Sequence, residues 1–190
     1  MLNQLSSFIV RRYSPLLMLA LLVATSGFFW LFNFSNFSIP ISNPQLVNIS
    51  GGEGLLDLKF FYSAQEAYAI LTQCGIEGRA LYKRFLPADF IFLICYGFGF
   101  SLLFTRLSLT LHGPDSGWTK LNLLPLGIAL ADFAENILIL LMLVMYPEKL
   151  PIVGTLAGYA TLTKQFFTLV SLIILFVIIF QLLVRRLKSG

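Results

Sequence analysis

Leu123–Tyr146, LLPLGIALADFAENILILLMLVMY, is the stretch on which the fold turns. It is long enough to cross a bilayer, since about 20 residues rising ~1.5 Å each span ~30 Å of hydrocarbon. In hydrocarbon the backbone must satisfy its own hydrogen bonds, so the run reads as a helix. Pro125 fits its first turn, where no amide hydrogen is needed. Two carboxyls and a carboxamide interrupt the apolar run as Asp132-x-x-Glu135-Asn136. Positions i, i+3 and i+4 share one helix face. Counted from Leu121 at the membrane edge, Asp132 lies about 16 Å in, near the midplane, and Glu135 about 5 Å further. An ionised carboxylate at that depth costs roughly 2.5–3.5 kcal/mol on insertion scales. Two of them on one face must turn toward a bundle interior and be neutralised by a proton, a partner or a cation.

Three more apolar runs flank this one, at about 16–32, 87–105 and 165–184, beside the run at about 123–146. Hydrophobic residues make up 57% of the 190-residue chain and charged residues 12%, about half the charged share of a soluble domain. Lipid must therefore cover much of the surface. The fold class predicted is an all-α membrane protein: one domain over 1–190, a four-helix transmembrane bundle with a small extracytoplasmic helical subdomain between helices 1 and 2. The first run follows Arg11-Arg12 and Ala24-Thr25-Ser26 is a passable cleavage site, so a secretory signal is the competing reading. Its apolar character continues through Phe28, Phe29, Trp30 and Phe32, which favours a retained anchor.

The 33–86 connection has two parts. Residues 33–54 are rich in Asn, Ser, Pro and Gly and read as an irregular linker. Its sequons at Asn33, Asn36 and Asn48 read as turn residues, with Asn48 open to glycosylation in a eukaryotic secretory setting. From Leu55, Leu56, Leu58, Phe60 and Tyr62 alternate with Asp57, Lys59 and Phe61, as in a short half-buried extended segment. Ser63-x-x-Glu66 is a capping box and Gly75 a stop, predicting a helix over about 64–74. A second short helix is expected over about 78–85, the pair lying across the outer ends of the bundle.

Basic residues set the expected orientation. With both termini cytoplasmic, the short inner segments carry Arg11, Arg12, Arg106, Lys120, Arg185, Arg186 and Lys188 against one acid, Asp115. Short flanks dominate the positive-inside bias, so the chain is expected to be a multi-pass protein of the cell membrane with both ends inside. Arg79, Lys83 and Arg84 at the outer end of the second run oppose that bias. The net charge of +4 is thus a topology signal and not a nucleic-acid footprint. Cys74, Cys95 and the single His112 lack the spacing of a metal site, two free thiols are expected, and no cofactor is indicated.

Taken together, Phe61-Tyr62-Ser63-x-x-Glu66-Ala67, Gly75-x-x-Gly78-Arg79-x-x-Tyr82, Pro87-x-Asp89, Leu124-Pro125, Asp132-x-x-Glu135-Asn136, Tyr146-Pro147 and Thr163-Lys164 form a set. The combination resembles a family of uncharacterised four-helix membrane proteins, over most of Leu55–Gln165. The resemblance implies the four-helix architecture and no activity.

The candidate ligand-binding residues are Asp132, Glu135, Asn136, Lys164 and Asp89. Counted back from Arg185, Lys164 lies about 32 Å up, at the outer boundary, from which its long side chain reaches toward Glu135. Asp89 lies about 25 Å above Arg106. The expected picture is a polar cavity open to the outside, floored by Asp132 and walled by the other four; the competing one is an interhelical Lys164–Glu135 pair that only holds helices together. Three functions stay open: a binder of a small ligand, lipid or cation at the acidic cluster; an intramembrane enzyme on a lipid or isoprenoid substrate, which lacks a nucleophile–base motif; and a structural or assembly subunit. Besides the bilayer, the expected partner is a second copy or another membrane subunit, since four spans are few for an autonomous transporter. Gly154-x-x-x-Gly158 and Gly97-x-x-x-Ser101 are read as close-packing positions.

Overall fold

A computed structural model describes residues 2–34, 42–52, 54–114 and 116–189. The sequon at Asn36 and the acid at Asp115 lie outside them. Among the described residues there are seven helices: α1 Leu2–Arg11, α2 Pro15–Phe34, α3 Asn43–Ser50, α4 Ala64–Gln73, α5 Gly75–His112, α6 Leu124–Met145 and α7 Pro151–Ser189. Single 3₁₀ segments stand at Leu56–Leu58 and Gly117–Leu123. No strand occurs among the described residues, and four helices are long and apolar enough to cross a membrane. The protein is an all-α membrane bundle.

Contacts between the long helices fix its topology. Gly154 faces Met142, Thr161 meets Glu135 and Lys164 meets Asp132, so α6 and α7 are antiparallel neighbours. Gly97 against Ala129 and Tyr96 against Asp132 set α5 antiparallel to α6. Phe32 on Phe85 and Gly99 on Leu21 set α2 antiparallel to α5. The result is an up-down-up-down bundle. One end gathers α1, the α5–α6 connection and the end of α7: the Ser6 hydroxyl donates to the Thr119 carbonyl, the Asn122 amide to the Ser6 carbonyl, and Arg185 to the Leu111 carbonyl.

Several expected boundaries shift. The predicted helix over 78–85 is the opening of α5, which runs on through Pro87 for 38 residues; proline there removes one backbone hydrogen bond without ending the helix. The linker contains α3, with Pro44 in its first turn and Gly51 (φ 70°) closing it. Segment 55–62 does not alternate: Leu58 and Phe60 are exposed while Leu56 and Tyr62 are buried, because the 3₁₀ turn rotates successive side chains out of strand register. The helix read from its capping box is present as α4: the Glu66 amide donates to Ser63 Oγ (3.2 Å) and the Ser63 amide to Glu66 Oε2 (2.7 Å). Gly75 takes φ 64° at the corner between α4 and α5, a conformation that favours glycine. The amphipathic α1 has no counterpart in the expectations above.

The apolar core is divided. Its larger part lies around the 42–86 connection, with Leu56, Tyr62, Tyr68, Leu71, Tyr82, Phe85, Ile139, Met142 and Ala157 in one cluster. A smaller part, Phe104, Leu111 and Ile178, lies at the other end. The glycine pair on α7 serves the first. A Cβ at Gly158 would overlap the Tyr62 carbonyl oxygen, and one at Gly154 would sit 2.9 Å from Ala64 Cβ. The close approach read from the spacing is thus between α7 and the start of α4. Gly97 does pack helix to helix, on Ala129, while Ser101 donates its hydroxyl to the Asn122 carbonyl.

Candidate functional site

Lys164 is the hub. The register of α6 and α7 sets it opposite Asp132, so its side chain does not have to reach down from a membrane boundary. The count from Arg185 placed it too high because α7 is 39 residues long, about 58 Å, and its last turns overrun the start of α6. Its ammonium lies 3.0 Å from Asp132 Oδ1, 2.7 Å from Glu135 Oε2 and 3.1 Å from the Asp57 carbonyl oxygen. The ammonium donates to Asp132 Oδ1 and to the Asp57 carbonyl, and forms an ion pair with Glu135 Oε2. Glu135 is wholly buried and also accepts from the Thr161 hydroxyl at 2.6 Å.

Around this hub the acids outnumber the cation. Asp132 takes a second bond from the Tyr96 hydroxyl at 2.8 Å. Asp89, buried on α5, accepts from the Asn136 side-chain amide. Asp57, in the 3₁₀ turn between α3 and α4, has a buried Oδ1 without a hydrogen-bond partner. Burial pushes the Asp57 carboxyl above its ordinary value, and the neighbouring Lys164 ammonium pulls it part of the way back.

A cavity of about 550 Å³ begins at these groups, within the usual range for small-ligand sites. Asp57, Asp89, Asp132, Tyr96, Lys164 and Gln165 line its polar end. Phe100, Phe104, Ile128, Leu172 and Leu175 line the rest, with the hydroxyls of Thr25, Ser26, Thr168 and Ser171 along its length. It fills the interval between the two apolar clusters. The Asp57–Leu58 turn, tied to Lys164 through the Asp57 carbonyl, lines the polar end, and Leu58 there is 53% exposed. The cavity opens sideways, between α2 and α7, where Phe29 and Leu172 are 54% and 57% exposed.

The five candidate residues fall into two bonded groups, Lys164 with Asp132 and Glu135, and Asn136 with Asp89. Asp89, Asp132 and Lys164 line the cavity. Glu135 and Asn136 stand behind them, Glu135 on Lys164 and Asn136 on Asp89. Thr163 points away and bonds its own helix at the Tyr159 carbonyl. Arg79 stacks on the Tyr146 ring 3.9 Å from its centroid, outside the cavity. Asp57 and Tyr96 escaped the sequence reading: Asp57 looked like the solvent face of a strand, and Tyr96 like one aromatic among many. The one available signal for Tyr96 was its place one turn beyond Phe92 and two beyond Asp89, on the same face of the helix. Among the described residues no group of three or more His, Cys, Asp or Glu side chains is arranged to hold a metal. Cys74 and Cys95 are both buried. No family model matches the chain, nor does any curated protein or solved structure.

Proposed function

We propose that this integral membrane protein is a binding protein that receives the positively charged group of a small ligand among Asp57, Asp89 and Asp132. The observation that carries this reading is the charge balance at the polar end of the cavity: Asp57, Asp89 and Asp132 line it with one ammonium, Lys164, which is already paired with Asp132 and with Glu135 behind it. Among the described residues, no cation forms an ion pair with Asp57 or Asp89. Carboxylates in a low-dielectric site are stabilised by an opposite charge, and the spread of these groups along a cavity suits an organic ammonium better than a chelated metal ion. Glu135 and Asn136 have a different part in this reading, joining α5, α6 and α7 from behind the site, as interhelical polar contacts do. The basic residues at the end shared by α1 and the last turns of α7 support an orientation with that end in the cytoplasm.

Butylammonium is a suitable probe, being short and water-soluble. It should bind the purified protein in maltoside micelles, and Asp89→Asn and Asp57→Asn should each weaken it about tenfold, as loss of a charge-assisted contact does. Equal binding of butyrate, or unchanged butylammonium affinity in both variants, would refute the reading.

A further inference from the structure

Resting on that reading, we propose that the positive group belongs to a membrane amphiphile with an alkyl tail, which enters the cavity sideways from the bilayer between α2 and α7. The shape of the cavity argues for a tail. From Lys164 to Leu175 the lining of α7 continues for about 16 Å along the axis, and from Tyr96 to Phe104 that of α5 for about 12 Å. Beyond the polar end these walls are mainly Phe100, Phe104, Ile128, Leu172 and Leu175. A ligand consisting of the cation alone would leave this part of the cavity without apolar contacts, whereas an alkyl chain gives those side chains a partner.

The position of the mouth argues for the bilayer as the source. α2 and α7 are the two most exposed spanning helices, with 6% and 11% of their apolar windows buried. α2 packs on α5 and α3 and makes no extended contact with α7. In a membrane the slot between them faces lipid. A second observation marks the tail half as a place where a ligand belongs. Ser171 is 8% exposed, lines the cavity, and its hydroxyl has no hydrogen-bond partner. The other cavity hydroxyls on α2 and α7 are bonded within their helices: Thr25 to the Leu21 carbonyl, Ser26 to that of Leu22, and Thr168 to that of Lys164. Ser171 stands two turns, about 10 Å, from Lys164. It would be satisfied by a polar atom of the ligand that far below its cationic head.

Dodecylammonium, butylammonium and dodecanoate test this in maltoside micelles, against the wild type and Leu172→Trp. Leu172 is exposed at the mouth, so the larger ring enters the tail half without disturbing the core. Partition of the probe into micelles is common to both proteins and cancels in their ratio. Each methylene that loses its site is worth about fourfold in affinity. Dodecylammonium should therefore bind Leu172→Trp about tenfold or more weakly than the wild type, while butylammonium binds both equally and dodecanoate binds neither. Should Leu172→Trp unfold, Leu175→Trp takes its place. If butylammonium binds but dodecylammonium shows no difference between the proteins, the tail site is wrong and the cation site stands. If neither ammonium binds, or dodecanoate binds as well as dodecylammonium, both are overturned.

Discussion

Replacing Lys164 with methionine keeps an unbranched apolar stem one atom shorter and removes the charge and the donors. Lys164 is 8% exposed and its partners Asp132 and Glu135 are 6% and 0% exposed. Removing one member of a buried ion pair leaves uncompensated charge behind and costs about 3–5 kcal/mol. For a chain of this size each kcal/mol lowers the melting temperature by about 2–4 °C, so Lys164→Met should melt about 6–20 °C lower than the wild type. The same substitution releases the Asp57 carbonyl, 3.1 Å from the ammonium in the intact protein. Proteolytic cleavage within 51–62 should therefore accelerate more than cleavage elsewhere. The assay is thermal unfolding in micelles, with limited proteolysis in parallel. Glu135→Leu in the Lys164→Met background should recover part of the loss, since it removes a carboxyl that has lost its cation. A Lys164→Met variant within about 1 kcal/mol of the wild type, as expected of an exposed pair, would refute the reasoning.

Gly158→Ala drives a methyl group into the Tyr62 carbonyl, and overpacking of this kind costs about 1–3 kcal/mol. Gly27→Ala, mid-helix in α2 with nothing within 4 Å of the added carbon, should instead leave the melting temperature unchanged or raise it. Ser63→Ala removes the N-cap of α4 and should cost about 1 kcal/mol in the same unfolding assay. Its bond from the Ser63 amide holds the exposed Glu66 carboxyl below its ordinary value. The contribution of Glu66 is thus present at neutral pH and lost as pH falls through that depressed value, and Glu66→Ala should flatten this part of the stability profile.

Most of the architecture was legible because the bilayer leaves few choices. Long apolar runs can only be helices there, and the Ser63–Glu66 box and Gly75 act through bonds a few residues long. Segment 55–62 was misread because its geometry is set from far away. The Leu56 amide donates to the Tyr82 hydroxyl and the Gln165 side chain to the Lys59 carbonyl, contacts that no local pattern encodes. Helical spacing put Asp132, Glu135 and Asn136 on one face, but a face is broad. The sequence could not say that Asp132 meets the cavity while Glu135 turns behind it. Depth counting failed for Lys164 for a related reason: it assumes that a helix ends at the membrane, and α7 does not end where α6 begins.

The contacts of α7 with the 54–73 segment also constrain the order in which the protein can be completed. Asp57 and Lys164 are separated by 107 residues, and Tyr68 bonds the backbone of Leu150 across 82. A ribosome making this chain therefore delivers the 54–73 segment long before its seat exists. Asp132 and Glu135 likewise emerge ahead of Lys164, the last part of their network to be synthesised. Until α7 arrives, α6 carries two carboxyls that lack the cation they pair with in the finished bundle. Insertion of α6 and α7 as a hairpin resolves this, and the 54–73 segment can then close over the finished pair. The final strap of the protein is thus a part translated early, waiting on the membrane surface for the helix it fastens.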